Sequence, residues 1–540
     1  MVPCVLLVSG LLAASANTSA SGTTNAVLTV SNGASGQFVR NFNPFSPVAE
    51  GPTLGFIYEP LLFFDTVDAA SVQPWLATSY SWSNGGKTIT FDLRHGVKWT
   101  DGQPFTSQDV AFTFGLEMKN SQLNTYDLPF KSVTTAGPYV VTINFTQSVY
   151  ENLIYFGGRT AILPQHLWKS VTTPATFTNP NPIGTGPYEL SSSTGEAITL
   201  SANPNYYMPG LPKIKTVRFL SFSGNASGDA AILAGDLDWA SDFIPNVKKT
   251  YVATSPAHHL VEIPTSTLFL ACNNEQGPTA NLAVREAISS AINRNLINSA
   301  VYDGEYLSTN PMGLILPDFQ SLLSPSLKSA SVSYDPAKAE QILEAAGYKK
   351  GSNGIFALNG TPLSVSVQLI AGYTDYVSIA QILVQELAQV GIQLKIEAES
   401  SSAFVSAEDN GTFQMAMIGY GFTPNLYAYY YSIYDSKLAP AIGKAATGDY
   451  GRFESPQLDS LLTQVAGLPT AAAGKPLFYK MEAIVASQLP YIPVLQNGSS
   501  AEFNGNVVRN FPTAANPYAG PDPWMEPDAG WVAMHMTLAS

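Results

Sequence analysis

Five histidines, His95, His166, His258, His259 and His535, are all that the chain offers for imidazole chemistry. None stands four residues from another, the spacing that places two rings on one helical face for a metal, and no His-Glu-x-x-His occurs. His258 and His259 are adjacent, so in a strand their rings point apart. No Gly-x-Ser-x-Gly elbow is present to raise a nucleophilic serine. Gly85-Gly86-Lys87-Thr88 ends like a phosphate loop. The glycine required five residues before Gly86 is Ser81, and the segment leads into a strand. "GTGPY", 184–188, lacks the third glycine and the following helix of a dinucleotide fingerprint, and reads as a tight turn. The carboxylates are many, but no pair stands out for acid–base work. Cys4 lies in an N-terminal apolar segment and Cys272 in the apolar run "TLFLACNN". One cysteine left after processing cannot form an internal disulfide, so Cys272 reads as an isolated core thiol. No catalytic residue, metal site or cofactor is expected.

Aromatic chemistry is the exception. "YGFTPNLYAYYYSIY", 420–434, places Tyr427, Tyr430, Tyr431 and Tyr434 on one helical face. Such a face packs in an interior, or offers a flat platform for sugars or apolar side chains in a cleft.

The elements that position these residues form an α/β chain. A length of 540 residues exceeds one core and implies two to four domains. Charged residues make up 12%, about half the usual share, so neutral polar groups must cover the surface. A net charge of -14 excludes nucleic acid as a partner, because phosphates call for Lys and Arg. It also argues against docking on anionic lipid through a basic patch. Val5–Ala16 is too short for a bilayer, which needs ~20 residues, but has the length of a signal-peptide core. Ala14-Ser15-Ala16 fits the cleavage pattern, although a basic n-region is missing. Residues 1–16 are therefore expected to be a signal peptide, and 17–25, "NTSASGTTN", a polar linker. Cys4 precedes the apolar core, where a lipid-bearing cysteine would follow it. The mature protein is expected to be exported, at the periplasmic or outer face of the cell membrane.

Residues 26–32 and 138–146 alternate as strands, and 196–222 hold two more around a Pro/Gly loop. Residues 41–60 read as a loop leading into a helix that ends near Glu59-Pro60. "KTITFDLRHGVKW" alternates as a strand, Asp101-Gly102 turns, and Thr106 with Asp109 makes a capping box that opens a helix. Residues 283–301 have helical spacing. Asp335-Pro336 caps a helix that stops at Gly347. Residues 363–370, 376–391 and 392–398 are a strand–helix–strand unit with a right-handed crossover. A mixed sheet is expected in each lobe.

Several segments together carry a resemblance. They are Tyr58-Glu59-Pro60-Leu61, Pro74-Trp75-Leu76-Ala77, "GGKTITFDLRHGVKWTDGQPFTSQDVAFTF", "PIGTGPYEL", "NYYMPGLPKIKTVRF", "AGDLDWA", "AVREAISSAINRNLI", "YDPAKAEQILEAAGY" and "LPYIPVLQNG". In this order the set resembles the extracellular solute-binding proteins of family 5, the oligopeptide, dipeptide and nickel-binding components of ABC importers. The resemblance implies a two-lobed type II periplasmic-binding-protein-like fold with an additional N-terminal subdomain. Lobe one would comprise 26–50, 186–272 and 497–540, the added subdomain 51–185, and lobe two 273–496. The crossings near Cys272–Asn274 and Leu495–Asn497 would form the hinge. The function implied is capture of a solute, an oligopeptide first, and delivery to ABC permease subunits by a monomer.

The site residues this implies are Phe45, Glu50, Asn273, Asn274, Gly419, Tyr420, Gly421, Tyr427, Tyr431 and Asn497. One departure stands out. The "Trp…Asp-Tyr…Pro" block, whose Asp holds a peptide's ammonium in peptide-binding members, is here Gly419-Tyr420-Gly421-Phe422-Thr423-Pro424, without a carboxylate. A buried ammonium without a counter-charge is costly. Either another acid serves, such as Glu50 or Glu59, or the solute is an oligosaccharide or other neutral molecule. A secreted hydrolase is the alternative of another class, and would need a nucleophile beside a histidine.

Overall fold

The computed structural model describes residues 27–539 except 32, 34, 35, 69–71, 317, 422 and 424, and leaves out the side chains of 497 and 499. The expected signal peptide and linker lie outside the described residues. One ten-stranded sheet runs through the molecule, where a separate sheet in each lobe was expected. Its order is Gln393–Glu399, Ser364–Ile370, Met415–Gly421, His258–Cys272, Tyr491–Asn504, Trp239–Ala240, Val27–Ser31, Thr216–Leu220, Ala197–Ala202 and Tyr188–Ser193.

The two central strands explain the continuity. His258–Cys272 and Tyr491–Asn504 pair antiparallel from His258 opposite Asn504 to Ala271 opposite Tyr491. At one end Trp239 and Ala240 of the lobe-one half pair with Phe503 and Glu502. At the other, Met415–Gly421 of the lobe-two half pairs with Ser266–Cys272. Between these ends the register slips, from Pro264 opposite Gly498 to Ser266 opposite Asn497. Proline has no N–H to give the ladder, so a break in pairing falls naturally beside it. Burial changes at the same place, and Thr265–Cys272 are all buried. Register and burial thus both change at Pro264–Ser266, between the Trp239–Ala240 and Met415–Gly421 ends. Cys272–Asn274, expected to be a crossing, sits at the far lobe-two end of the strand. Leu495–Asn497 lies directly opposite Ser266–Leu268.

In lobe two, Ser364–Ile370, the helix Thr374–Gln389 and Gln393–Glu399 form the expected parallel unit. The run 283–301 is two helices, Leu282–Ala291 and Arg294–Val301. Asn293 breaks it by capping the second helix, accepting from the Leu296 N–H at 3.1 Å. Asp335 caps Pro336–Ala345 by accepting from the Lys338 N–H at 2.9 Å.

The added subdomain is a four-stranded sheet, ordered Ala77–Ser83, Thr88–Leu93, Val140–Phe145 and Phe130–Thr135, with the helix Ser107–Lys119 against it. Thr106 and Asp109 form the capping box. No helix forms over 41–60. Backbone bonds Tyr58 N–H to Thr53 O and Gly55 N–H to Tyr58 O fold 53–58 into turns. The carbonyls of Phe56 and Ile57 accept from the Tyr188 and Gly186 N–H groups, so this stretch serves as a seam to lobe one. That seam is aromatic as well: Phe63 stacks on Trp531 with centroids 4.4 Å apart, and Trp75 meets Trp531 edge-on at 5.1 Å.

Candidate functional site

A cavity of about 710 Å³ lies between the two halves of the sheet. Ser266, Gly419 and Gly498 line it where the central strands change lobes. Its lobe-one wall carries Asp242 and Phe243 just past Trp239–Ala240, Glu502 from the second central strand, and Asp522 and Trp524 from the C-terminal segment. Its lobe-two wall carries Tyr302 and Tyr306 after Arg294–Val301, and Tyr373, Asp375 and Tyr376 where Thr374–Gln389 begins.

The carboxylates are buried. Asp242 is 5% exposed. One of its oxygens accepts from the Ser31 hydroxyl at 2.8 Å, and the other has no partner. Burial pushes its carboxyl up to about 6. Glu502, 1% exposed, accepts from the Asp242 N–H at 3.4 Å. Burial, then the charge of Asp242, raises its carboxyl well above the usual range. Asp375 accepts from the Tyr302 hydroxyl at 2.9 Å, and burial raises it to about 6. Asp229, on the helix Asn225–Ala234, is raised to about 7 by burial, then by Asp242 and Asp375. The Ser266 hydroxyl is also buried without a partner. Lys248 contacts the carboxylates of Glu305 and, at 3.9 Å, Glu262. Trp524 is positioned by its N–H, which donates to Ser241 Oγ at 3.1 Å, while Ser241 donates to Asp522 at 2.7 Å.

The lobes touch at the mouth. The Asn225 N–H of lobe one donates to the Gly372 carbonyl of lobe two at 2.9 Å. A Cβ on Gly372 would stand 2.6 Å from the Ser223 carbonyl oxygen, so this approach needs glycine.

Of the residues expected at the site, Gly419 lines the cavity. Asn497 lies opposite Ser266 in the adjoining strand. Gly421, at φ 136°, lies so close to the first central strand that a Cβ would be 2.6 Å from the Thr265 carbonyl oxygen. The Tyr420 ring packs between Tyr450 and Tyr491, with centroids 6.1 and 6.0 Å away. The other six are spent on structure. Asn273 donates to the Gly411 and Phe413 carbonyls, and Asn274 to those of Cys272, Gly451 and Pro490. Phe45 meets Trp168 edge-on. Glu50 accepts from the Val39 N–H. Tyr427 and Tyr431 sit on the helix Leu426–Tyr434, which packs on the added subdomain. Tyr427 accepts from Asn152 at 3.0 Å, and Tyr431 donates to the Tyr126 carbonyl at 2.6 Å. Glu59, the other acid considered for an ammonium, is fully buried beneath Trp75, Tyr206 and Tyr207, which all donate to it.

Asp242, Glu502, Asp375, Ser266 and Trp524 carry no local signature. Glu502 stands between Ala501 and Phe503, which are buried on the opposite face of the strand. Among the described residues no histidine lines the cavity, and no three or more His, Cys, Asp or Glu are grouped to hold a metal ion. No described helix is long and apolar enough to cross a membrane.

A two-lobed α/β molecule with a cavity between the lobes defines a class of binding proteins. Residues 71–439 match the bacterial extracellular solute-binding proteins, family 5 (Middle), and the chain belongs to that family. It is 28% identical over 394 residues to a nickel-binding periplasmic protein of Escherichia coli, covering 69% of this chain and 72% of that one. It is 26% identical to the oligopeptide-binding protein AppA of Bacillus subtilis, covering 68% and 69%. Among solved structures, the mannohexaose-bound periplasmic oligopeptide-binding protein of Thermotoga maritima superposes with a TM-score of 0.87 at 24% identity, over 96% of this chain and 99% of that one. AppA bound to a nonapeptide superposes with a TM-score of 0.81 at 22% identity, over 95% and 98%. The fold is thus the two-lobed type II periplasmic-binding-protein-like fold with an additional N-terminal subdomain.

Proposed function

We propose that the protein captures a short oligopeptide between its lobes, outside the cell membrane, and delivers it as a monomer to the permease subunits of an ABC importer. The observation that carries this is the interlobe cavity with Asp242 buried in its wall, one oxygen unpartnered. Its volume falls in the range of small-ligand sites, about 300–1,000 Å³. A terminal ammonium would meet Asp242 and Glu502, which takes over the role of the acid missing from 419–424. Trp524 and the tyrosines opposite would cover apolar side chains. The lobes rotate about the central strands near Pro264–Ser266 to admit and enclose the peptide.

A neutral oligosaccharide is the second reading. Trp524, Tyr373 and Tyr376 offer ring faces for sugars, and the protein bound to mannohexaose supports it. Calorimetric titration with free and N-acetylated tri- to pentapeptides, and with manno- and cello-oligosaccharides, separates the two. Binding of free but not acetylated peptides is expected. Tight sugar binding with no peptide binding overturns the peptide reading. Mass spectrometry of co-purified ligand gives an independent answer.

A further inference from the structure

We infer that the cleft has a charge interlock: closure draws Asp375 of lobe two against Asp229 and Asp242 of lobe one, and the positive end of the solute is what lets them meet. The cationic nature of that end rests on the peptide reading above; the interlock itself does not. The three acids come from opposite lobes. Asp375 stands in the first turn of Thr374–Gln389, Asp229 on Asn225–Ala234, and Asp242 beyond Trp239–Ala240. Asp229 and Asp242 share lobe one, where the Gly228 turn of the Asp229 helix packs on Asp242; closure adds Asp375, and here the lobes are in backbone contact through Asn225 and Gly372. Asn225 is the direct bridge, its side-chain amide 3.5 Å from an Asp375 oxygen.

The wall is built for something more. Asp242, 5% exposed, lines the cavity and has one buried oxygen with no partner. Ser266 adds a fully buried hydroxyl, also without a partner, to the same cavity. Like charges brought together out of water cannot all stay ionised, so the closed state must gain a cation or protons. The other groups facing the cluster do not supply the charge. From lobe one these are Glu502 and Asp522, both acids. From lobe two they are the phenols of Tyr302, Tyr306, Tyr373 and Tyr376, all pushed above the usual tyrosine range. Of the lysines lining the cavity, Lys248 is engaged by Glu305 and Glu262, and Lys249 is its neighbour along the same turn.

The sign follows from linkage. The carboxyls of Asp242, Asp375 and Asp229 are raised here by burial, and that of Asp229 also by Asp375 across the cleft, so opening the cleft to water lowers at least Asp229 and the newly wetted Asp375. The closed state therefore binds protons more tightly. Closure is favoured as pH falls through that range and opposed as it rises. A cationic solute takes the protons' place, so it releases them only at low pH, where the ligand-free chain is already closed and protonated, and binds with no proton change where that chain is open. A neutral solute leaves the acids to take protons up.

Small-angle scattering on the ligand-free chain tests the interlock. Its radius of gyration should contract as pH falls from about 8 to about 5. Asp375→Asn should be contracted already at the higher pH, with a smaller pH response. Asp242→Asn, on the opposite lobe, should do the same, which guards against loss of the Tyr302 contact as the cause. A radius independent of pH, or variants that respond like the parent, overturns the inference. Titration of free peptide at about pH 5, in buffers of different ionisation enthalpy, should show proton release from the already closed chain, and uptake there would mean that the cation is not the trigger. If the ligand-free chain contracts but no peptide binds, the interlock stands and the peptide reading falls. If peptides bind and the radius ignores pH, the reverse holds.

Discussion

Tyr427 and Tyr431 show how a single hydroxyl decides between two roles. Their spacing fitted both a packed face and a ligand platform. The hydroxyls meet Asn152 and the Tyr126 carbonyl in the seam with the added subdomain. Replacing either tyrosine by Phe removes one hydrogen bond without changing the packed volume, at a cost of about 0.5–1.5 kcal/mol. Urea denaturation of both variants checks this; midpoints equal to the parent's would mean that the hydroxyls hold nothing. Cys272 was legible from its apolar neighbours. It is fully buried, and burial pushes its thiol up to about 12. A thiolate is the reactive form, so the native protein should resist a thiol reagent at neutral pH and react only on unfolding. Rapid native labelling at this position, read by mass spectrometry, would contradict the burial.

At the scale of elements, local chemistry was most readable at helix starts. The capping box at Thr106 needs only four residues and the backbone, so nothing distant can overrule it. Asp109 does more than the motif states. One oxygen accepts from the Thr106 N–H at 2.8 Å, and the other from the Gln165 N–H at 3.0 Å, which pins the short helix Gln165–Trp168 to this one. Thr106→Ala should cost about 1 kcal/mol, the usual value of an N-cap. Asp109→Ala loses bonds to two elements and should cost more, about 2 kcal/mol, because buried N–H groups are left without acceptors. Denaturant titration ranks the two, and equal losses would mean that the link to Gln165 carries no weight. The stretch 41–60 was misread for the opposite reason. Its turns are held by Gly186 and Tyr188, more than a hundred residues away, and no local pattern records that.

The whole molecule carries its acids inside. Glu59, Asp65 and Glu482 are raised to about 7 and Glu117 to about 8, burial being the foremost cause in each. Unfolded, these groups titrate near their ordinary values, about 4. Between the two ranges the native state holds protons that the unfolded chain has released, so stability falls as pH rises through that window. The melting temperature should be highest in mild acid and drop by about pH 8. Glu117→Gln should flatten the profile and raise the melting temperature at its alkaline end. Calorimetry across pH checks both, and a melting temperature that climbs from mild acid to neutrality would show the acids to be ionised in the fold. Closure is the other property of the whole. Saturating solute should reduce the radius of gyration, with bending at Pro264–Ser266, and scattering reads this directly.

The sequence by itself determined what depends on short range: the caps at Thr106 and Asp335, the strand–helix–strand unit of lobe two, the buried thiol, and the ordered segments that carry the family resemblance. Only the tertiary structure decided the site. Asp242, Glu502 and Asp375 are more than a hundred residues apart along the chain, and each is an ordinary carboxylate in its own neighbourhood. Burial makes all three distinctive, with the charge of Asp242 adding to it at Glu502, and burial is a property of the folded whole. The proposed hinge is a similar case. The family resemblance pointed to Cys272–Asn274 and Leu495–Asn497, whereas the register slip beside Pro264 exists only through the pairing of Trp239–Ala240 at one end and Met415–Gly421 at the other.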